Sequence, residues 1–223
     1  MKEFWTKRMK CPLCSVQFEQ VKVFNEVVRV ESYDTDLKPN FAGINPFFYS
    51  LTTCNSCYYT AFEDDFDSII SRINSNQLSK LKKVLGIARK RFNINLSENR
   101  DIDDAIKIHS LAILTYAIAD VKSKLAEIYL RLAWLYRDKG EKEKEAVALT
   151  KALVNLEEVF EKEKNIEAED RIIYLIGEIY LRLGKIDKAR QWFSKLLENR
   201  KFQDSKYFKM ARDRLSLLRG AKK

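Results

Sequence analysis

The side chains best suited to chemistry in this chain are its four cysteines, spaced as Cys11-Pro12-Leu13-Cys14 and Cys54-Asn55-Ser56-Cys57. Two C-x-x-C pairs can close one tetrahedral site, because each short pair offers two sulfurs on one tight turn. A metal with four protein ligands has no position left for water or substrate, so the set points to structure rather than catalysis. Zn2+ is the expected occupant. Iron, as in rubredoxin-like electron-transfer centres, is the alternative the same ligands allow. The single histidine, His109, falls in an apolar helical stretch and reads as a packed residue. Asp34, Asp36, Glu63, Asp64 and Asp65 could supply a general acid–base pair, but turn and helix-cap roles account for them better. No Gly-rich phosphate loop, H-E-x-x-H or Ser–His–Asp set is present, so the chain reads as non-enzymatic.

The cysteines must be positioned by a small irregular β module over residues 1–65, too short to build a sufficient core without a staple. Val21, Val23, Val27, Val28 and Val30 supply its β-branched content, and Phe47 to Thr53 reads as a strand delivering Cys54. Turn residues crowd between them, from Asp34-Thr35-Asp36 through Pro39 and Gly43 to Asn45-Pro46. Phe41, Phe47, Phe48, Tyr49, Tyr58, Tyr59 and Phe62 form an apolar shell for the site, with a base-stacking surface as the alternative.

Helix takes over from residue 66, since all three prolines lie in the first fifty residues. Asp64 or Asp65 is the expected N-cap. Phe66, Ile69, Ile70 and Ile73 recur at helical spacing, and Asn74-Ser75-Asn76 interrupts them. A buried helix is expected over 101–119, apolar almost all round.

Two later segments repeat one pattern. Leu132, Ala133, Tyr136 and Gly140 are spaced as Ile176, Gly177, Tyr180 and Gly184, and a second helix follows each glycine. A small residue lets two helices approach closely, and a glycine accepts the left-handed conformation that ends a helix. The pattern resembles the tetratricopeptide repeat, with two irregular units over about 121–164 and 168–200 and a capping helix over about 205–218.

The whole chain resembles a bacterial family catalogued only as a domain of unknown function, with an N-terminal zinc ribbon and C-terminal tetratricopeptide repeats. C-P-x-C, Asp34-Thr35-Asp36, Asn45-Pro46-x-x-Tyr49, the second C-x-x-C, Asp65-Phe66 and Leu130-Arg-Leu-Ala-Trp-Leu-Tyr136 carry the likeness. The family implies no activity. One departure stands out. Ser15 and Tyr58 follow the two cysteine pairs where ribbon knuckles usually carry glycine, which predicts strained or altered turns.

The expected fold is therefore mostly α: residues 1–65 a zinc-ribbon-like module, residues 66–223 a tetratricopeptide-like superhelical stack. A non-enzymatic adapter role follows, with an unidentified protein or peptide partner seated in a groove lined by Trp134, Arg137, Arg171, Tyr174, Glu178 and Arg182. RNA or DNA binding is the second reading. The net charge of +9 is concentrated in two segments: residues 80–91 hold six basic residues and no acid, and residues 200–223 hold nine and two. Lys80, Lys82, Lys83, Arg89, Lys90 and Arg91 form the first patch, a candidate polyanion contact. The N-terminus lacks the apolar core of a secretory signal, and no run approaches a membrane span. The expected location is the cytoplasm, without membrane contact. The sequence leaves the oligomeric state open.

Overall fold

The structure, a computed structural model, describes residues 2–162 and 168–220. Glu163 and Lys164, the expected end of the first repeat, and Lys222 and Lys223 of the C-terminal basic segment lie outside these residues.

The first 62 residues contain three antiparallel hairpins. β1 (Phe4–Lys10) pairs with β2 (Gln17–Val23), β3 (Arg29–Tyr33) with β4 (Pro39–Ala42), and β5 (Leu51–Thr53) with β6 (Thr60–Phe62). The register of the first runs from Phe4 opposite Val23 to Lys10 opposite Gln17, so the turn that closes it holds Cys11 and Cys14. The third, with Leu51 opposite Phe62 and Thr53 opposite Thr60, closes on Cys54 and Cys57. The strand expected from Phe47 is shorter than its aromatic content suggests. Asn45 caps a 3-10 turn at Pro46–Phe48 by accepting from the Phe47 N–H, with the proline at its first position. That cap outweighs β-propensity, and only Leu51–Thr53 pairs as strand.

Helices follow in chain order: α1 (Glu63–Phe66), α2 (Ser68–Arg72), α3 (Ser75–Arg91), α4 (Ile102–Ala119), α5 (Lys122–Asp138), α6 (Lys142–Lys162), α7 (Glu169–Arg182), α8 (Ile186–Glu198) and α9 (Lys206–Gly220). Asp64 and Asp65 lie inside the first turn of α1, where Phe62 is the uncapped N-terminal residue. Their negative charge suits the N-terminal dipole without a capping bond. Ile73 closes α2, and Asn74 forms a capping box with Gln77 that opens α3. Asp101 caps α4 through the Asp104 N–H.

From α4 onward the helices pack in sequence as antiparallel neighbours, α5 against α6 and α7 against α8 most extensively. Gly140 (φ 77°) and Gly184 (φ 73°) make the left-handed turns that close the two pairs. At Gly177 the reason for glycine is steric. A Cβ there would lie 2.4 Å from Cε1 of Phe193, so α7 and α8 touch where no side chain intervenes.

The apolar core runs across residue 65. Around the cysteines, Phe18, Leu51, Tyr59 and Ala61 pack with Phe66 and Ile69, then with Leu81 and Leu85 of α3, Leu111 and Tyr116 of α4 and Ile128 of α5. A second cluster joins α5–α9, with Leu37 and Phe47 of the N-terminal module packed against it. The β module therefore has no separate interior. Its apolar face is completed by helices.

Candidate metal centre

Each C-x-x-C pair sits at the end of a hairpin, and the two turns are built alike. Cys11 donates its N–H to the carbonyl of Val16 (2.9 Å) and its carbonyl accepts from Ser15 (2.8 Å). Cys54 does the same with Tyr59 (2.9 Å) and Tyr58 (2.9 Å). Ser15 (φ 62°) and Tyr58 (φ 61°) adopt the left-handed conformation that glycine would take without strain. The absent knuckle glycines thus leave the turn geometry intact, at a cost of roughly 1–2 kcal/mol for each residue.

The two turns face each other. Cys11 Sγ lies 3.6 Å from Cys57 Sγ, and Cys14 Sγ 3.6 Å from Cys54 Sγ, with all four sulfurs within 4.8 Å of one another. A tetrahedral site with metal–sulfur bonds of about 2.3 Å requires sulfur–sulfur edges of about 3.8 Å, so the set fits a four-thiolate metal. Electrostatics agree with that fit. The Cys54 thiol is pulled down to about 2, first by hydrogen bonds from Cys11 and Cys57 and then by the N–H groups of Cys57 and Ser56, against desolvation. Cys11 is pushed up to about 12, chiefly by its bond to Cys54, and Cys57 is driven up by Cys11 and Cys54. Four sulfurs this close cannot all ionise unaided; a metal cation held by Cys11, Cys14, Cys54 and Cys57 would supply the charge that lets them.

Side chains beyond the sulfurs hold the two turns together. Gln20, buried on β2, donates to the Leu51 carbonyl (3.3 Å) and accepts from the Thr53 N–H (3.3 Å), bridging hairpins that share no sheet. Tyr58 and Tyr59 donate to the carbonyls of Phe92 (3.3 Å) and Phe66 (2.8 Å), fixing the second turn to the C-terminal ends of α3 and α1. Sequence reading missed Gln20. Its signal was a polar residue two positions after Phe18 on the same inward strand face.

The residues expected to line a partner groove are brought together, but four of them meet the chain's own β3–β4 turn. The fully buried Asp36 accepts from Arg137 Nη2 (2.5 Å) and Nη1 (3.0 Å) and from Trp134 Nε1 (3.1 Å). Arg137 also donates to Asp34 (2.7 Å) and Glu145 (2.8 Å). Tyr174 donates to the Thr35 carbonyl (3.0 Å), and Glu178 is held by Arg214 (2.6 Å), which also reaches Thr35. Arg182 lies 3.6 Å from Asp36, and Lys38 pairs with Asp138 (2.8 Å). Arg171 is exposed and stands apart from this network. The face is occupied in cis because an acidic turn and a cationic helix face complement each other once the β module folds back. Trp134 also stacks on Phe47 at 5.7 Å.

Of the other acids, Glu63 and Asp65 are structural partners too, whereas Asp64 is exposed. Glu63 pairs with Lys7 and Lys22, and Asp65 accepts from Tyr116 (2.8 Å). His109 is fully buried, its Nδ1 2.8 Å from the Ala105 carbonyl, and burial pulls its pKa down to about 4. By contrast, Lys80, Lys82, Lys83, Arg89, Lys90 and Arg91 are all exposed on α3, and none forms an ion pair among the described residues. In the C-terminal segment, Lys201 and Arg214 are committed to Glu169 and Glu178. Among the described residues, no helix is long and apolar enough to cross a membrane.

Comparisons with known proteins reach only uncharacterised relatives. An uncharacterized protein of Borreliella burgdorferi is 27% identical over 153 residues, covering 60% of this chain and 53% of that protein. The chain thus spans about half the length of that curated relative. No solved structure matches. The match that covers both the cysteine turns and the helices runs over residues 4–218, and by it the chain belongs to the family described as "Uncharacterized protein conserved in bacteria (DUF2225)".

Proposed function

We propose that the chain is a non-enzymatic interaction scaffold of the cytoplasm. A Zn2+-stapled, ribbon-like module is fixed to a tetratricopeptide-like helical stack, and together they present a rigid surface to a protein or peptide partner. One observation carries the reading. The outer face of α5–α6 holds a shallow cleft of about 270 Å3 lined by Tyr129, Leu132, Tyr136, Val147 and Ala148, with Val147 62% exposed. Val154, two helical turns on, is exposed beside it. Apolar surface of this kind, rimmed by the charged Glu143 and Lys144, is typical of protein contact sites. On this reading the partner docks outside the face that Trp134, Arg137, Tyr174 and Arg182 turn toward the chain's own β3–β4 turn. Affinity capture from the source cell after nuclease treatment tests it. Val147→Glu with Val154→Glu should abolish capture while the far-UV spectrum is unchanged, and undiminished capture by the folded variant refutes it.

A second reading, RNA or DNA binding, is favoured by the six exposed α3 cations that no acid neutralises among the described residues. Phosphate contacts would make affinity fall steeply with salt. Lys80→Ala, Lys82→Ala and Lys83→Ala together should flatten that dependence, and no affinity for a single-stranded RNA at low salt would dismiss the reading. The iron-thiolate alternative is separated from Zn2+ by colour and metal content.

A further inference from the structure

Between the β3–β4 hairpin and helices α5, α6 and α7 lies a cavity of about 550 Å3. Leu37, Phe41 and Phe47 line the hairpin side, and Leu130 and Leu175 the helical side. Its volume falls within the roughly 300–1,000 Å3 of small-molecule sites, whereas a stable protein interface buries about 800 Å2 on each partner. Two guanidinium groups, Arg131 and Arg171, stand in this apolar wall with one carboxylate, Glu127. Arg131 is held between the rings of Phe47 and Phe62, each 5.0 Å away, and donates to Glu127 (2.5 Å) and Ser50 (2.9 Å). Three of its five N–H donors remain. Burial lowers its pKa from the ordinary arginine range; Glu127 opposes that shift and the neighbouring charge of Arg171 adds to it. Arg171 has no acidic partner among the described residues.

Among the described residues the wall therefore carries one positive charge in excess beside a large apolar volume. A neutral hydrocarbon would leave that charge unmatched, and a doubly charged phosphate would overshoot it. We propose that this cavity binds a small amphiphilic carboxylate of the medium-chain fatty acid class, its chain against Phe41, Phe47 and Leu175 and its head between Arg131 and Arg171. The site needs no protein partner and stands independently of whatever docks on α5–α6. Trp134 lies in the same wall and reports occupancy through its emission.

The test is calorimetric titration of the full chain with dodecanoate below its micellar concentration, alongside dodecanol and dodecyltrimethylammonium, with tryptophan emission as the second readout. Dodecanoate should bind saturably at one per chain, at least about tenfold more tightly than either control, since a charge-assisted bond is lost with each. Arg171→Ala, at an exposed position, should weaken it by about tenfold with the far-UV spectrum unchanged. Equal affinity for dodecanol, an unaffected Arg171→Ala variant, or binding only of an apolar peptide would overturn the proposal.

Discussion

Replacing Asp36 with alanine should loosen the attachment of the N-terminal module to the helices more than any other single surface-turn change. Asp36 is fully buried, 101 residues from Arg137 in sequence, and takes three hydrogen bonds from Arg137 and Trp134. Removing one partner of a buried ion pair costs about 3–5 kcal/mol, because the other charge is left without its counterion. Here Arg137 retains Asp34 and Glu145, so the lower end applies, about 3 kcal/mol. For a chain of this size that corresponds to roughly 6–12 °C in melting temperature. The assay is thermal and urea unfolding of wild type, Asp36→Ala, Arg137→Ala and the double variant. The double variant should cost less than the sum of the singles by about 1–3 kcal/mol, since the two share one interaction. A loss below about 0.5 kcal/mol for Asp36→Ala, the range of ordinary surface changes, would refute the latch.

Other outcomes follow from single positions. Gly177→Ala should cost about 1–3 kcal/mol by forcing the Phe193 ring aside, whereas Gly86→Ala, in open space on α3, should stabilise by roughly 0.5–1 kcal/mol; urea midpoints compare them. His109 is neutral in the fold, with a pKa near 4 against about 6.5 when unfolded, so the unfolded state binds the extra proton between those values. His109 alone should therefore contribute a loss of about 3 kcal/mol as pH drops from 7 to 4, on top of the acid loss from paired carboxylates such as Asp34 and Glu63, and His109→Leu should make the fall shallower by that share. Its Nε2 has no partner, and the contact of Nδ1 with the Ala105 carbonyl is the side-chain hydrogen bond that the leucine removes. Ser15→Gly should relieve the left-handed strain at an exposed turn, raising the melting temperature by a few degrees and slowing loss of metal to a chelator.

What could be read from the sequence was whatever depends on neighbours. The cysteine pairs declare themselves by type and spacing, because each turn is four residues long. The helix pairs show through Gly140 and Gly184, and Gly177 through the need for a small residue at a crossing. Phe47 was misassigned to a strand because aromatic β-propensity is a weaker constraint than the Asn45-Pro46 cap beside it. The boundary at residue 65 followed a change of secondary structure, whereas the core follows burial; Phe66 and Tyr116 pack with Tyr59 and Leu51 across it. The latch was invisible for a different reason. Asp36 has the composition of a solvated turn, and only tertiary folding brings Arg137 to it. The same contact explains why Trp134 and Tyr174, expected to line a groove for a partner, meet a turn of their own chain.

The four thiolates should hold one metal together, an occupancy open to direct measurement. Its most direct test is titration of the purified native chain with a mercurial while released metal is measured. One zinc per chain should appear in step with the modification of four thiols, from a colourless protein. Release in step with fewer than four thiols, an iron-coloured protein, or four freely reactive thiols with no metal released would contradict it.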